Sequence, residues 1–184
     1  MHRLPDFPLL PRGPASRAGL ARGLGDFRAA AAFVAHLPYG RGRGRDDLAI
    51  LDEGRGTCST KHALLARLAR EHDVAVALIL GIYLMDGANT PGVGAVLAAH
   101  GLTAIPEAHC VLRWQHHTID LTRPNITALP TFLREEAIAP EDIVTRKPRL
   151  HREFLAGWLP TNLPDWTLAD LWRVREACIA ALAP

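Results

Sequence analysis

Between Gly54 and Ala66 the chain reads Gly-Arg-Gly-Thr-Cys-Ser-Thr-Lys-His-Ala-Leu-Leu-Ala, a glycine-punctuated turn running into a helical apolar pattern. Thr57 has the side chain of an N-cap, which places Cys58 in the first helical turn. Backbone N–H groups without intrahelical partners gather there with the positive end of the helix dipole. Both favour a thiolate over a thiol. His62 and Leu65 follow Cys58 at helical spacing, so all three share a face, and Leu64, Leu65 and Leu68 mark that face as buried. An inward sulfur at a helix N-terminus is how a nucleophile is presented. It is equally where an inert core cysteine sits.

The flanking segments follow from pattern. After a helix ending near Glu71 or His72, the unbroken apolar run Val74–Leu80 predicts a strand buried on both faces, continuing through Gly81 to Met85. Residues 86 to 91 read as a loop, and Gly92 to His100 as a short helix closed by Gly101. His109–Trp114 and His116–Leu121 read as a second strand pair. Upstream, Asp26 is placed to cap a helix that Pro38-Tyr39-Gly40 stops after Leu37, and Arg41 to Arg45 form a solvated basic loop. Residues 1–25, with Pro5, Pro8, Pro11 and Pro14 evenly spaced, predict a loosely ordered arm outside a single domain spanning 26–184. From about 130 to 184 the pattern is helical, broken near Pro140, Pro148, Pro160 and Pro164. It ends in an amphipathic helix, Leu168–Leu182, that carries Leu171, Trp172, Val174 and Cys178. The fold expected is α+β, a small antiparallel sheet packed on the Cys58 helix and closed by a helical C-terminal region.

Composition narrows the functional classes. At 184 residues and 48% hydrophobic content the chain suits one domain with its own core. A formal charge of +2 is too small to argue for nucleic acid. Three cysteines, Cys58, Cys110 and Cys178, are too few and odd in number for a disulfide framework, which points to a reducing compartment. With no signal-like segment and no membrane-length apolar run, a soluble cytoplasmic protein without membrane partners is expected. The basic residues are almost all arginine, Lys61 and Lys147 being the only lysines, a bias read as compositional rather than mechanistic.

The second stretch bearing chemistry is Pro106-Glu107-Ala108-His109-Cys110-Val111, answered by Thr118-Ile119-Asp120-Leu121-Thr122. If a hairpin turns at Trp114 and Gln115, Arg113 meets His116 and His109 meets Asp120 on the same face. A carboxylate there accepts from one imidazole nitrogen and leaves the other free. Cys58 would complete a set of nucleophile, base and orienter.

The order of a cysteine at a helix start, a buried strand, a histidine and an aspartate across a hairpin resembles the transglutaminase-like branch of the papain-type cysteine superfamily. Gly56-Thr57-Cys58-Ser59-Thr60-Lys61-His62-Ala63-Leu64-Leu65, Gly81, His109 and Asp120-Leu121-Thr122 carry the likeness, over about residues 50–125. It implies Cys58 as nucleophile toward an amide or ester carbonyl of a peptide, protein or small molecule, His109 as base and Asp120 as orienter. No cofactor is implied. Val111 stands where an aromatic often follows the histidine, and Leu121 where a proline often follows the aspartate. The 86–106 stretch reads as an insertion that shapes the pocket, with Tyr83, Asn89 and Glu107 as candidate substrate contacts. Cys110, on the face opposite His109, and Cys178 read as core. His62 is the rival base. Two other classes stand beside the enzyme: a catalytically silent binding module of the same fold, whose cleft the 86–106 segment would block, and a zinc protein built on Cys58 and His62 with His109, Cys110, His116 and His117.

Overall fold

The apolar run after Asp73 becomes the central strand of the molecule. The computed structural model describes residues 3–44, 46–124 and 129–183. It is α+β: among the described residues, a four-stranded antiparallel sheet and seven α-helices. Strand β1 (Ala77–Asp86) pairs with β2 (Ala104–Trp114) on one side and β4 (Arg134–Ile138) on the other, and β3 (His117–Ile119) extends β2, giving the order β3-β2-β1-β4.

Both faces of β1 are covered, which is why it reads as a nearly unbroken apolar run, whereas β2 turns Glu107 and His109 to the face opposite Ala108, Cys110 and Leu112. Leu78, Leu80 and Ile82 of β1 with Ala108, Cys110 and Leu112 of β2 belong to one core, shared with α1 (Pro14–Ala21), α2 (Phe27–His36) and α4 (Cys58–Glu71). Tyr83, Met85 and Ile105 lie in a second core with α5 (Gly94–Ala99), α6 (Arg146–Asn162) and α7 (Leu168–Ala180). The seventh helix, α3 (Ala49–Glu53), leads into the turn before Cys58. Within β1, Gly81 is required by a close approach, since a Cβ there would lie 2.4 Å from the Phe132 ring. No helix among the described residues is long and apolar enough to cross a membrane.

Several local expectations change. The N-terminal 25 residues are no loose arm: α1 lies within them, and Leu4, Leu9, Ala15 and Leu24 are buried in the first core. The prolines space these apolar anchors, and Glu71 accepts from the N–H groups of Ala15 and Ser16 at the start of α1 (2.9 and 2.7 Å). Residues 134–138 form an edge strand rather than a helix. Glu135 there pairs with Arg113 and Glu136 with Arg146, so pairing to β1 overrides the helix preference of Arg-Glu-Glu-Ala. Pro148 does not break α6, because it stands in the first turn, where no N–H is needed. Pro160 is also accommodated within α6, near its C-terminal end. The basic loop is pinned: Glu53 accepts from the N–H groups of Arg43 (2.8 Å) and Gly44 (2.7 Å). Arg45 falls outside the described residues.

Candidate active site

Cys58 is the first residue of α4, and Thr57 caps it, accepting from the Thr60 N–H while the Thr60 hydroxyl accepts from the Thr57 N–H. As the first helical residue, Cys58 has an N–H with no intrahelical acceptor. Gly56 is tightly enclosed just before it; a Cβ there would stand 3.0 to 3.1 Å from Lys61, Ile50 and Thr60. Gly56 also exchanges backbone hydrogen bonds with the Pro38–Gly40 turn, which fixes Tyr39 beside the cysteine.

His109 comes from the middle of β2, and its Nε2 is 2.7 Å from Asp120 Oδ2. The pairing arises from a register other than the expected one. The hairpin turns at Gln115 and His116, with Gln115 left-handed (φ 54°), and Trp114 faces His117. Continued outward, that ladder sets Asp120 opposite Val111. The shift is of two residues, so it preserves the face, and the carboxylate reaches His109 diagonally. Asp120 also accepts from the Thr122 N–H (2.8 Å).

With Nε2 committed to Asp120, His109 turns its other nitrogen to Cys58. Burial alone would raise the Cys58 thiol. The Lys147 ammonium, the His109 charge and hydrogen bond, and the Cys110 N–H outweigh it and bring the group down to about 6. Burial likewise opposes charge on His109, yet the thiolate and Asp120 lift it to about 10. Asp120 is held far below the carboxylate range, burial being overcome by His109. These directions describe a thiolate–imidazolium pair oriented by a carboxylate.

His62 does not compete as base. Its Nε2 accepts from the Leu121 N–H (2.8 Å), so Nδ1 carries the proton and donates to the Cys58 carbonyl (2.7 Å). Burial holds it neutral, its pKa down at about 4. The same bonds leave no ring nitrogen for a metal. Among the described residues no group of three or more His, Cys, Asp or Glu is disposed to hold one.

The arginine bias was read as compositional, yet the two lysines that depart from it both stand beside Cys58 or the turns around it. Lys147, the second residue of α6, is 8% exposed, with Nζ 3.6 Å from Cys58 Sγ and 2.5 Å from Ser59 Oγ. Lys61 is fully buried and donates to the carbonyls of Leu37 (2.6 Å) and Thr122 (2.7 Å), tying the turns beside Tyr39 and Asp120 to α4. In a chain where nearly every cation is arginine, lysine survives where a compact ammonium must enter a narrow space. That rarity was the available signal.

The candidate substrate contacts divide. The Tyr83 ring stands edge-on to His109 (centroids 5.9 Å apart), with its hydroxyl 3.0 Å from that of Thr90. Asn89 locks its own loop, donating to the Leu84 carbonyl and accepting from the Asp86 N–H. Tyr83, Asn89 and Pro91 line a cavity of about 440 Å³ that also reaches Cys58, His109 and Asp120. Glu107 lines it too, but both its oxygens are held by Arg175, from Nε at 2.8 Å and Nη2 at 2.5 Å. Burial would raise the Glu107 carboxyl; Arg175 and then His151 keep it at about 2. Glu107→Ala leaves the buried Arg175 guanidinium with Glu176 as its one carboxylate partner, and is expected to destabilise the fold by about 3 kcal/mol, the low end for a broken buried pair, read by urea unfolding at pH 7. Because the folded group titrates lower than the unfolded one, this contribution is present above the ordinary carboxylate range and fades as pH falls below it. Cys110 and Cys178 are buried and raised by that burial, as core thiols are.

No family model, no curated protein and no solved structure matches the chain.

Proposed function

We propose that the chain performs cysteine-dependent acyl chemistry, hydrolysing or transferring an amide or ester acyl group through a thioester on Cys58. The fold reading that goes with it is the transglutaminase-like, papain-type one. The observation that carries the proposal is His109, bonded to Asp120 through Nε2 at 2.7 Å while its charge and hydrogen bond stabilise the Cys58 thiolate. In the first half-reaction the thiolate attacks the carbonyl carbon, and the Cys58 N–H donates to the oxyanion that forms. Collapse expels the amine or alkoxide, which takes its proton from His109. The now neutral His109 accepts a proton from water or an acceptor amine as it attacks the thioester. Collapse of the second intermediate then returns the thiolate, and Asp120 holds the imidazole in one orientation throughout.

A silent binding module is the poorer reading. Ala88, Asn89, Thr90 and Pro91 line the cavity at Cys58 rather than fill it. The deciding measurement is the pH dependence of iodoacetamide labelling, read peptide by peptide. Cys58 is expected to label with an inflection near about 6, whereas Cys110 and Cys178 label slowly and only at alkaline pH. A Cys58 inflection at the ordinary value of about 8.5 removes the basis for acyl chemistry.

A further inference from the structure

Cys58 lies where two cavities meet, and they differ in character. The cavity that contains His109 has apolar walls of Met85, Pro91, Leu129, Pro130 and Leu182, and its one cation besides His109 among the described residues, Arg123, is engaged by the Leu182 carbonyl and the Tyr39 ring. The other, of about 540 Å³, passes Lys147 and is lined by Arg41, Arg43, Arg55, Arg152 and Arg175. Its carboxylates are all engaged: Glu107 by Arg175, Glu176 by Arg41 and Arg175, and Glu53 by backbone N–H groups. Among the described residues Arg43, Arg55, Arg152 and Lys147 have no carboxylate partner. Arg152 is held over the Trp172 ring, 3.9 Å from its centroid, and the buried Lys147 ammonium forms the floor beside the sulfur. Positive charge is thus concentrated at one side of the nucleophile, where a low-dielectric wall strengthens its attraction for an anion.

We propose that this second cavity is an anion subsite, and that the acyl group transferred to Cys58 carries a carboxylate or a phosphate. The direction of the substrate rests on the acyl-transfer reading above. His109 must reach the leaving atom, so the leaving group departs through the apolar cavity that His109 faces. The acyl part then extends the opposite way, past Lys147 toward Arg55 and Arg152. A substrate anionic in its acyl portion and apolar in its leaving group matches both sides, and the acceptor enters where the leaving group left.

The test compares two alkylating agents that differ in charge. A free thiolate reacts faster with neutral iodoacetamide than with anionic iodoacetate. At Cys58 the preference is expected to invert, and the iodoacetate-to-iodoacetamide rate ratio to fall about tenfold in an Arg55→Gln/Arg152→Gln double variant. A wild-type ratio equal to that of a cysteine-containing peptide overturns the subsite. So does an inverted ratio that the double variant leaves unchanged. Protection of Cys58 by glutarate identifies the anion as a carboxylate, and protection by inorganic phosphate as a phosphate. The outcome is separable from that of the parent reading. An unactivated Cys58 betrays itself by its alkaline inflection with iodoacetamide, whatever the ratio between the two reagents.

Discussion

Replacing His109 by alanine is expected to cost about 10³–10⁴-fold in turnover of an activated ester such as p-nitrophenyl acetate. The imidazole serves both half-reactions, and its proton and charge have no substitute, since both nitrogens of the nearby His62 are already bonded. Asp120→Asn is expected to approach the same loss, because an amide can present its N–H to His109 Nε2 and favour the wrong tautomer. Its fold should survive, since the amide oxygen can still accept from the Thr122 N–H. Far-ultraviolet circular dichroism checks that both variants are folded. Turnover within tenfold of the parent would exclude His109 as the proton carrier if seen in His109→Ala, and Asp120 as its orienter if seen in Asp120→Asn. The parent profile is expected to be bell-shaped. Activity rises as pH passes the lowered pKa of Cys58, near about 6, because the thiolate forms. With an amide substrate it falls as pH passes the raised pKa of His109, about 10, because the ring then lacks the proton the departing amine needs.

The second large effect is expected at Lys147. The charge of its ammonium favours the Cys58 thiolate more than the charge of His109 does, and His109 adds a hydrogen bond to its own share. Lys147→Met removes the charge but keeps much of the stem. The inflection for Cys58 labelling, about 6 in the parent, is expected to rise by at least about one unit, so that labelling at pH 6 slows about fivefold or more. Stability should not suffer in proportion. A buried ammonium carries a desolvation cost that an apolar side chain does not, so the unfolding free energy is expected to stay within about 1 kcal/mol of the parent. An unmoved inflection would leave His109 and the helix terminus as sufficient causes of activation. It would reduce Lys147 to a partner of Ser59.

The distinction between these two residues is also one of legibility. His109 and Asp120 stand in adjoining strands, where a period of two and a short turn bring side chains to one face. Misplacing the turn by one residue moved the register by two, and the face survived because two is the strand period. Cys58 was readable because an N-cap, a helix start and an apolar face are local signals, each present within ten residues. The partner of Glu107 was not legible, because Arg175 lies 68 residues away, on α7. Only the packing of that helix shows the carboxylate already taken.

Local signals in the sequence therefore disclosed the elements and residues whose relation is short-range: the capped helix that presents Cys58, the buried strand after it, and the hairpin that faces His109 with Asp120. Tertiary structure alone decided what surrounds them. It set Lys147 89 residues from Cys58 in sequence and 3.6 Å from it in space, and it folded the proline-rich N-terminus into the core. It also made residues 134–138 an edge strand and gave the sulfur a cationic cavity on one side and an apolar one on the other. The reason is physical. Helix caps and strand alternation act over a few residues, whereas burial and the electrostatics of a buried charge depend on every segment that closes over it.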